Sequence, residues 1–360
     1  MDILSPDSIE APNERIDSTN CDFVEREEDP MDVELEEQDN DSALQPSCLS
    51  MLEGKLDAYS MDIVLSYLTL VEYSRLSIAS KILRNRISKS THLHMKEYGL
   101  FQKRRIVPIG PSAKQPQKED FEMYMTPQKE LQQLMHRFDN VSVLNLQGLA
   151  PVGDDLIDIL NNCPSALTLK SVTLHSCALS YWCAHSFRIR HLESLTLTGN
   201  SIRSRMTFLL QHSTNLKSLT FKQCPALRDG DIAGISSILN ASLEELVLNH
   251  TKLSKPVASF PILNRASFAG SFCLTSLSRF QCPNLKSLNL SFCVRLSGSQ
   301  IERMLRNFPL LETLILVKCA GVDVLNLDSK SLQQLDIGFT HNLGELSLAC
   351  PSLCHLDVSS

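Results

Sequence analysis

Ten times between Val141 and the chain's last residue, Ser360, one nine-residue skeleton returns, and nothing else in the sequence restricts the fold as much. The copies read VSVLNLQGL from Val141, LKSVTLHSC from Leu169, LESLTLTGN from Leu192, LKSLTFKQC from Leu216 and LEELVLNHT from Leu243. They continue with LNRASFAGS from Leu263, LKSLNLSFC from Leu285, LETLILVKC from Leu311, LQQLDIGFT from Leu332 and LCHLDVSS from Leu353. Successive starts lie 20 to 28 residues apart, the period of a stacked repeat. Side chains alternate faces along a strand, so the apolar fourth and sixth positions point one way and the third, fifth and seventh the other. One copy cannot hide its leucines; a neighbour on each side can, at about 1.5 to 3 kcal/mol per fully buried side chain.

The ninth position is small and mostly polar: Cys177, Asn200, Cys224, Thr251, Ser271, Cys293, Cys319 and Thr340, with Leu149 the exception. A chain turning inward after a strand needs a compact side chain able to bond the turn's backbone, and a buried thiol suits that place as a small hydrophobe with a weak donor. Cys163, Cys282 and Cys350 each precede proline, which ends the preceding return segment. Most of the twelve cysteines are thereby explained as reduced corner pieces, not as a disulfide framework.

The return segments after Val141, Leu192, Leu216 and Leu285 carry helical spacing, as in Leu156, Ile159 and Leu160 or Ile301, Met304, Leu305 and Phe308. Towards the end, VDVLNL from Val322 and LGELSL from Leu343 copy the strand skeleton midway between repeats. The convex side is therefore expected to change from helices to short strands. The pattern over 141–360 resembles the cysteine-containing leucine-rich-repeat family. That resemblance implies a curved α/β solenoid on one parallel sheet, built for binding more than for catalysis. Ala266 replaces the fourth-position leucine in one copy, which predicts a loosely packed layer there. At Ser360 no polar unit covers the last leucines, and since solenoids need caps, a further segment or a partner is expected over that end.

Ahead of the repeats, Leu56 to Arg84 reads LDAYSMDIVLSYLTLVEYSRLSIASKILR and resembles the F-box. The match runs through Leu56, then Ile63, Val64, Leu65, Ser66, Tyr67 and Leu68, then Arg75, Leu76 and Ser77, then Ser80, Lys81 and Arg84. Asp57 stands where that family has proline, and Leu83 where it commonly has tryptophan. An F-box followed by cysteine-containing repeats is the order of the F-box leucine-rich-repeat family. The resemblance implies a small all-α domain over 48–98 whose Leu56, Ile63, Val64, Leu65, Leu68 and Leu76 dock a Skp-type adaptor of a cullin ubiquitin ligase. A helical cap on the solenoid is the plainer reading of the same residues.

Charge divides the rest. Residues 1–47 hold sixteen Asp or Glu against Arg15 and Arg26, a net −14 that leaves +7 on the remainder of a chain whose total is −7. So acidic and aromatic-poor a segment reads as a disordered tail. Between Lys81 and Lys118 stand ten Lys or Arg against Glu97 alone, including KRR at 103–105. This reads first as a solvated helix end and a proline-bearing linker over 99–125, and secondly as an import signal. Thr126 and Pro127 open a helix with Leu131, Leu134, Met135 and Phe138 on one face, expected to cap the solenoid's start, so that the repeat domain spans 126–360. No run approaches the roughly 18 apolar residues of a membrane span, and MDILSPDSIE has no signal-peptide pattern. A cytoplasmic or nuclear protein is expected.

On the outward positions, counted as three, five, seven and eight, Ser, Thr, Asn and Gly predominate. Lys222, Glu245, His250 and Arg265 stand out in the middle repeats, with Gln223 and Asn249 beside them, and Phe292, Lys318, Asp336 and Phe339 in the later ones, with His355 last. These are the candidates for binding a protein target on the concave face. No continuous basic stripe crosses them, which argues against nucleic acid. His175, Cys177, Cys183 and His185 have no zinc-module spacing, nor do Cys350, Cys354 and His355, and no phosphate loop, nucleophile elbow or HExxH pair occurs. The sequence calls for no cofactor and no catalysis. Its reading is a substrate-recognition subunit of a Skp–cullin–F-box ligase, or else a leucine-rich-repeat scaffold without a ligase.

Overall fold

Every second residue of each repeat strand carries an apolar side chain inward, and the backbone stacks these strands into a single parallel ladder. The computed structural model describes residues 92–96, 128, 131–132, 135–136, 138–149, 152, 155–179, 185–202 and 206–359. The acidic segment, the F-box-like residues Leu56, Ile63, Val64, Leu65, Leu68 and Leu76, the linker, Leu134 and Cys183 lie outside them. Among the described residues the principal sheet has eleven strands. They are β1 (His92–Lys96), β2 (Val143–Gln147), β3 (Ser171–His175), β4 (Ser194–Thr198), β5 (Ser218–Lys222), β6 (Glu245–Asn249), β8 (Arg265–Ser267), β10 (Ser287–Asn289), β11 (Thr313–Ile315), β13 (Gln334–Asp336) and β15 (His355–Asp357). They follow one another in chain order and all pair in parallel.

The register is the one the skeleton demands. Leu144 pairs with Val172, Leu195 with Leu219, Leu288 with Leu314 and Leu335 with Leu356, position four against position four. The second residue of a repeat sets it: its carbonyl accepts the N–H groups of positions two and three of the next repeat, as Ser142 does for Lys170 and Ser171, and Lys286 for Glu312 and Thr313. A slip of one residue would turn every leucine outward.

One boundary differs from the sequence reading. His92–Lys96, assigned there to the end of the F-box-like segment, forms β1 and pairs with β2 throughout, with Leu93 fully buried. HLHMK was missed because it lacks the flanking leucines of the other copies. The sheet thus has a strand ahead of the ten copies. Gln128, Leu131, Gln132 and Met135 are helical, and Leu131, Met135 and Phe138 are buried, as the one-faced pattern predicts.

On the opposite wall, α1 (Asp155–Asn162), α2 (Met206–Leu210), α3 (Asp229–Leu239) and α4 (Gly298–Leu305) follow the four strands that helical spacing marked. The helix starts are read from sequence: Asp231 reaches back to accept the Arg228 N–H at 2.8 Å, and in Ser-x-x-Gln, Gln300 accepts the Ser297 N–H at 3.1 Å. The extended returns form β12 (Val324–Asp328) and β14 (Glu345–Ala349), parallel to each other, as VDVLNL and LGELSL suggest. A further pair, β7 (Ala258–Ser259) and β9 (Phe280–Gln281), has no such signature in the sequence.

Ala266 is only 4% exposed and its layer is not loose. Three fully buried rings fill this layer: Phe268, the sixth position of the same copy, and Phe260 and Phe280 from the return segments. Their ring centroids lie 5.8 Å (Phe260–Phe280) and 5.3 Å (Phe268–Phe280) apart, in the tilted and edge-on arrangements that aromatic quadrupoles favour.

The corner thiols do what their positions require. Cys177, Cys224, Cys293 and Cys319 each direct Sγ at the sixth-position carbonyl of the repeat before: Leu146 (3.5 Å), Leu197 (3.4 Å), Phe268 (3.2 Å) and Leu290 (3.1 Å). Thr340, Ser271 and Asn200 take the same place against Leu316, Leu248 and Leu174 with O–H or N–H donors at 2.9 to 3.0 Å. Burial holds these thiols protonated: Cys177 and Cys319 are pushed up to about 11, Cys282 and Cys293 to about 12, and Cys163, Cys224 and Cys350 are raised. An unfolded thiol titrates near 9. Between the unfolded and folded values only the native state keeps its protons, so this contribution is complete below pH 9 and falls as pH rises towards 11 to 12. Among the described cysteines, native alkylation followed by peptide mass spectrometry should therefore modify the exposed Cys354 first and leave Cys282 and Cys293 untouched until unfolding. Equal labelling of Cys293 and Cys354 in the folded chain would contradict this packing.

Candidate protein-interaction surface

Position eight of the skeleton, counted from sequence as one more outward strand residue, is a corner. In all nine complete copies it has positive φ: Gly148, Ser176, Gly199, Gln223, His250, Gly270, Phe292, Lys318 and Phe339. Its N–H bonds the seventh-position carbonyl of the next repeat, Phe292 to Val317 at 2.8 Å and Lys318 to Gly338 at 3.0 Å, so the ladder extends through it. Glycine adopts this conformation freely, and three copies use it. A side chain there costs about 1–2 kcal/mol, and the cost is uncommon for a residue as bulky as phenylalanine. Repeats seven to nine nevertheless place Phe292 (φ 61°), Lys318 (φ 55°) and Phe339 (φ 56°) in succession.

The consequence is a stack on the rim where the strands end. The Lys318 ammonium lies 5.2 Å from the Phe292 ring centroid and 5.5 Å from that of Phe339, within cation–π range of both. Phe292 is 40% and Phe339 43% exposed. The pattern extends along the rim: Phe339 meets His341 edge-on at 6.4 Å, and His250 meets Phe272 at 6.3 Å.

The remaining sequence candidates separate by position. Lys222 ends β5 and is exposed. Glu245 and Arg265 are register partners on β6 and β8, at the strand starts, with the Ser218 hydroxyl donating to Glu245 at 3.0 Å. Asn249 accepts the Ser267 hydroxyl at 2.7 Å. Asp336 is a local brace, its carboxylate accepting the Gly338 N–H at 3.0 Å, as Asn289 does for Ser291 (2.9 Å) and Asp357 for Ser359 (2.9 Å). This fifth-position side chain diverts the seventh N–H from the ladder, which helps shorten β10, β13 and β15 to three residues. The structure therefore gathers His250, Phe292, Lys318 and Phe339 on one rim and leaves Lys222, Glu245, Arg265 and Asp336 on the sheet itself.

Two features of the surface were missed from sequence, although both are written in it. At the rim where strands begin, position two runs Lys170, Glu193, Lys217 and Glu244, then Lys286 and Glu312. Lys217 and Glu193 pair at 3.0 Å and Lys286 and Glu312 at 3.1 Å; the Lys217 bond lowers the Glu193 carboxyl below its ordinary value and raises the ammonium. An open groove of about 850 Å³ lies there, lined by Ser142, Lys170, His191, Glu193, Lys217 and Glu244 among others. The alternating signs compensate each other. At the opposite rim they do not: positions seven to twelve of the nine complete copies contain Arg203, Lys222, Lys252, Arg295 and Lys318 and no Asp or Glu at all. Reading down columns of the repeat, not along the chain, exposes both.

Within the group of His175, Cys177, Cys183 and His185, two described side chains have other partners. Cys177 points at Leu146 and His175 carbonyls, and His185 faces Asp158 at 3.8 Å.

Residues 233–358 match the family model described as FBD-associated F-box protein, LRR repeats. No curated protein matches the chain. Among solved structures, the Rad7 and Elc1 complex from yeast is similar at 18% identity and a TM-score of 0.41 over 59% of this chain and 60% of that one. An internalin, InlF, from Listeria monocytogenes is similar at 14% identity and a TM-score of 0.28, over 64% of this chain and 70% of that one. The matched segment runs from α3 to β15 and contains the three consecutive large corners. With its parallel ladder and donor-bearing ninth position, the chain has a leucine-rich-repeat fold, and over 233–358 it is similar to the repeats of FBD-associated F-box proteins.

Proposed function

We propose that the protein is a substrate-recognition subunit of a Skp–cullin–F-box ubiquitin ligase, with the segment over 48–91 docking the adaptor and the solenoid holding a protein target. The observation that carries this reading is the match of 233–358 to the repeats of FBD-associated F-box proteins, downstream of a segment that resembles an F-box. A parallel sheet with a polar outer face and one aromatic rim supplies recognition surface, so the chain would position its target and leave chemistry to the ligase. Docking would rest on Leu56, Ile63, Val64, Leu65, Leu68 and Leu76. Asp57 and Leu83, which stand where the F-box family has proline and tryptophan, favour a second reading: a repeat scaffold that has no adaptor.

Calorimetric titration of the purified chain with a Skp-type adaptor separates the two. The ligase reading expects micromolar or tighter binding, lost in a Leu65→Asp, Leu68→Asp variant whose circular dichroism is unchanged. A folded wild-type chain that binds no adaptor leaves the scaffold.

A further inference from the structure

The rim where the strands end combines three properties that point to one class of ligand. Its charge has a single sign: across positions seven to twelve, cations recur without one carboxylate, whereas the opposite rim pairs Lys with Glu. Its aromatic rings are exposed beside a cation that bridges them, Lys318 between Phe292 and Phe339. And its side chains occupy a left-handed corner that glycine fills in three other repeats, so their bulk is carried against backbone preference.

We infer that Phe292, Lys318 and Phe339 form the docking site for an acidic peptide segment of the target, with one or two carboxylates between apolar side chains. The spacing supports the register. Corners two repeats apart are separated by about two strand spacings, roughly 10 Å, which a peptide in the polyproline II conformation covers in about three residues, one full turn, so that i and i+3 share a face. Apolar side chains at i and i+3 then rest on Phe292 and Phe339, while a carboxylate between them meets Lys318. The ammonium is already held over both rings, so little ordering remains on binding. Arg295 adds a further cation in the same copy as Phe292. The inference rests on the protein-target reading and adds the class of target segment and its place on the solenoid.

The test is fluorescence anisotropy of the full chain with a fluorescein-labelled peptide of sequence Gly-Gly-Leu-Glu-Glu-Leu-Gly-Gly, alongside its Gln-for-Glu and Ser-for-Leu counterparts. The acidic apolar peptide is expected to bind at least about tenfold more tightly than either counterpart and to weaken as salt rises. Lys318→Glu, and the pair Phe292→Gly with Phe339→Gly, should each weaken it about tenfold or more, while Lys318→Arg retains it. Glycine is the residue of three natural corners, so the double variant should fold, which circular dichroism checks. Equal binding of the Gln peptide, unchanged binding by the rim variants, no binding up to about 1 mM, or displacement of the peptide by a tighter-binding single-stranded oligonucleotide would each overturn the inference. Because no adaptor is present, failure of the rim variants to respond leaves the ligase reading standing. A chain that takes the peptide but no adaptor overturns that reading alone.

Discussion

Phe280→Ala is expected to destabilise the chain by about 3–5 kcal/mol and to split its unfolding in two. The ring is fully buried between Phe260 and Phe268, in the layer where Ala266 supplies a methyl in place of a leucine, so no neighbour can relax into the space. A repeat array transmits stability only through adjacent interfaces, and a cavity in the sixth copy uncouples the copies on either side. Urea unfolding followed by circular dichroism should show a lower first midpoint and a smaller apparent slope, with the wild type unfolding in fewer steps. The converse change, Ala266→Leu, is expected to overpack the same layer, at about 1–3 kcal/mol. Should Phe280→Ala cost under about 1 kcal/mol, or Ala266→Leu stabilise, the layer is loose after all and the aromatic cluster is incidental.

That layer shows where sequence reading stops. The skeleton specifies its own strands: positions four and six must be buried together, and the register follows from the period without any knowledge of the partner strand. It also marks the convex helices, because Leu156, Ile159 and Leu160 or Ile301, Met304 and Leu305 repeat at helical spacing within one segment. What packs across the solenoid is not periodic. Phe260 and Phe280 lie in return segments of different copies, and nothing local ties them to Ala266. Likewise β1 was hidden because HLHMK carries a single buried leucine on a strand whose other neighbours in sequence belong to another segment.

The surface was legible in part for a different reason. The individual residues His250, Phe292, Lys318 and Phe339 stand out by type, and position eight was counted with the outward strand positions, but that count does not reveal a corner, since strict alternation would put it on the leucine-bearing side. Only the left-handed backbone brings them to one rim. Glycine at Gly148, Gly199 and Gly270 was the available clue: a column that accepts glycine three times in nine is a turn, and a bulky residue in such a column is held there against its own preference.

Glycine elsewhere supplies the second large effect, and its sign can be set against an internal control. Gly298→Ala is expected to destabilise the chain by about 3 kcal/mol, although helix propensity alone favours alanine by about 1 kcal/mol. A methyl group at Gly298 would overlap the carbonyl oxygen of Val324, and that carbonyl is backbone. It cannot swing aside as a side chain does, because Val324 is paired with Glu345 in the β12–β14 ladder and Glu302 of the same helix accepts the Asn326 N–H at 3.0 Å. To admit the methyl group, α4 must move away from β12 and open the core behind Ile301 and Met304. Gly230 occupies the equivalent first turn of α3, and a methyl group built there meets nothing within 4 Å. Gly230→Ala should therefore stabilise by about 0.4–1 kcal/mol, through helix propensity and a less mobile unfolded chain. The two substitutions are chemically identical and both fall in a helix's first turn, so opposite shifts in the denaturation midpoint isolate packing from propensity. A Gly298→Ala chain as stable as the wild type would show that α4 sits farther from β12 than the structure places it.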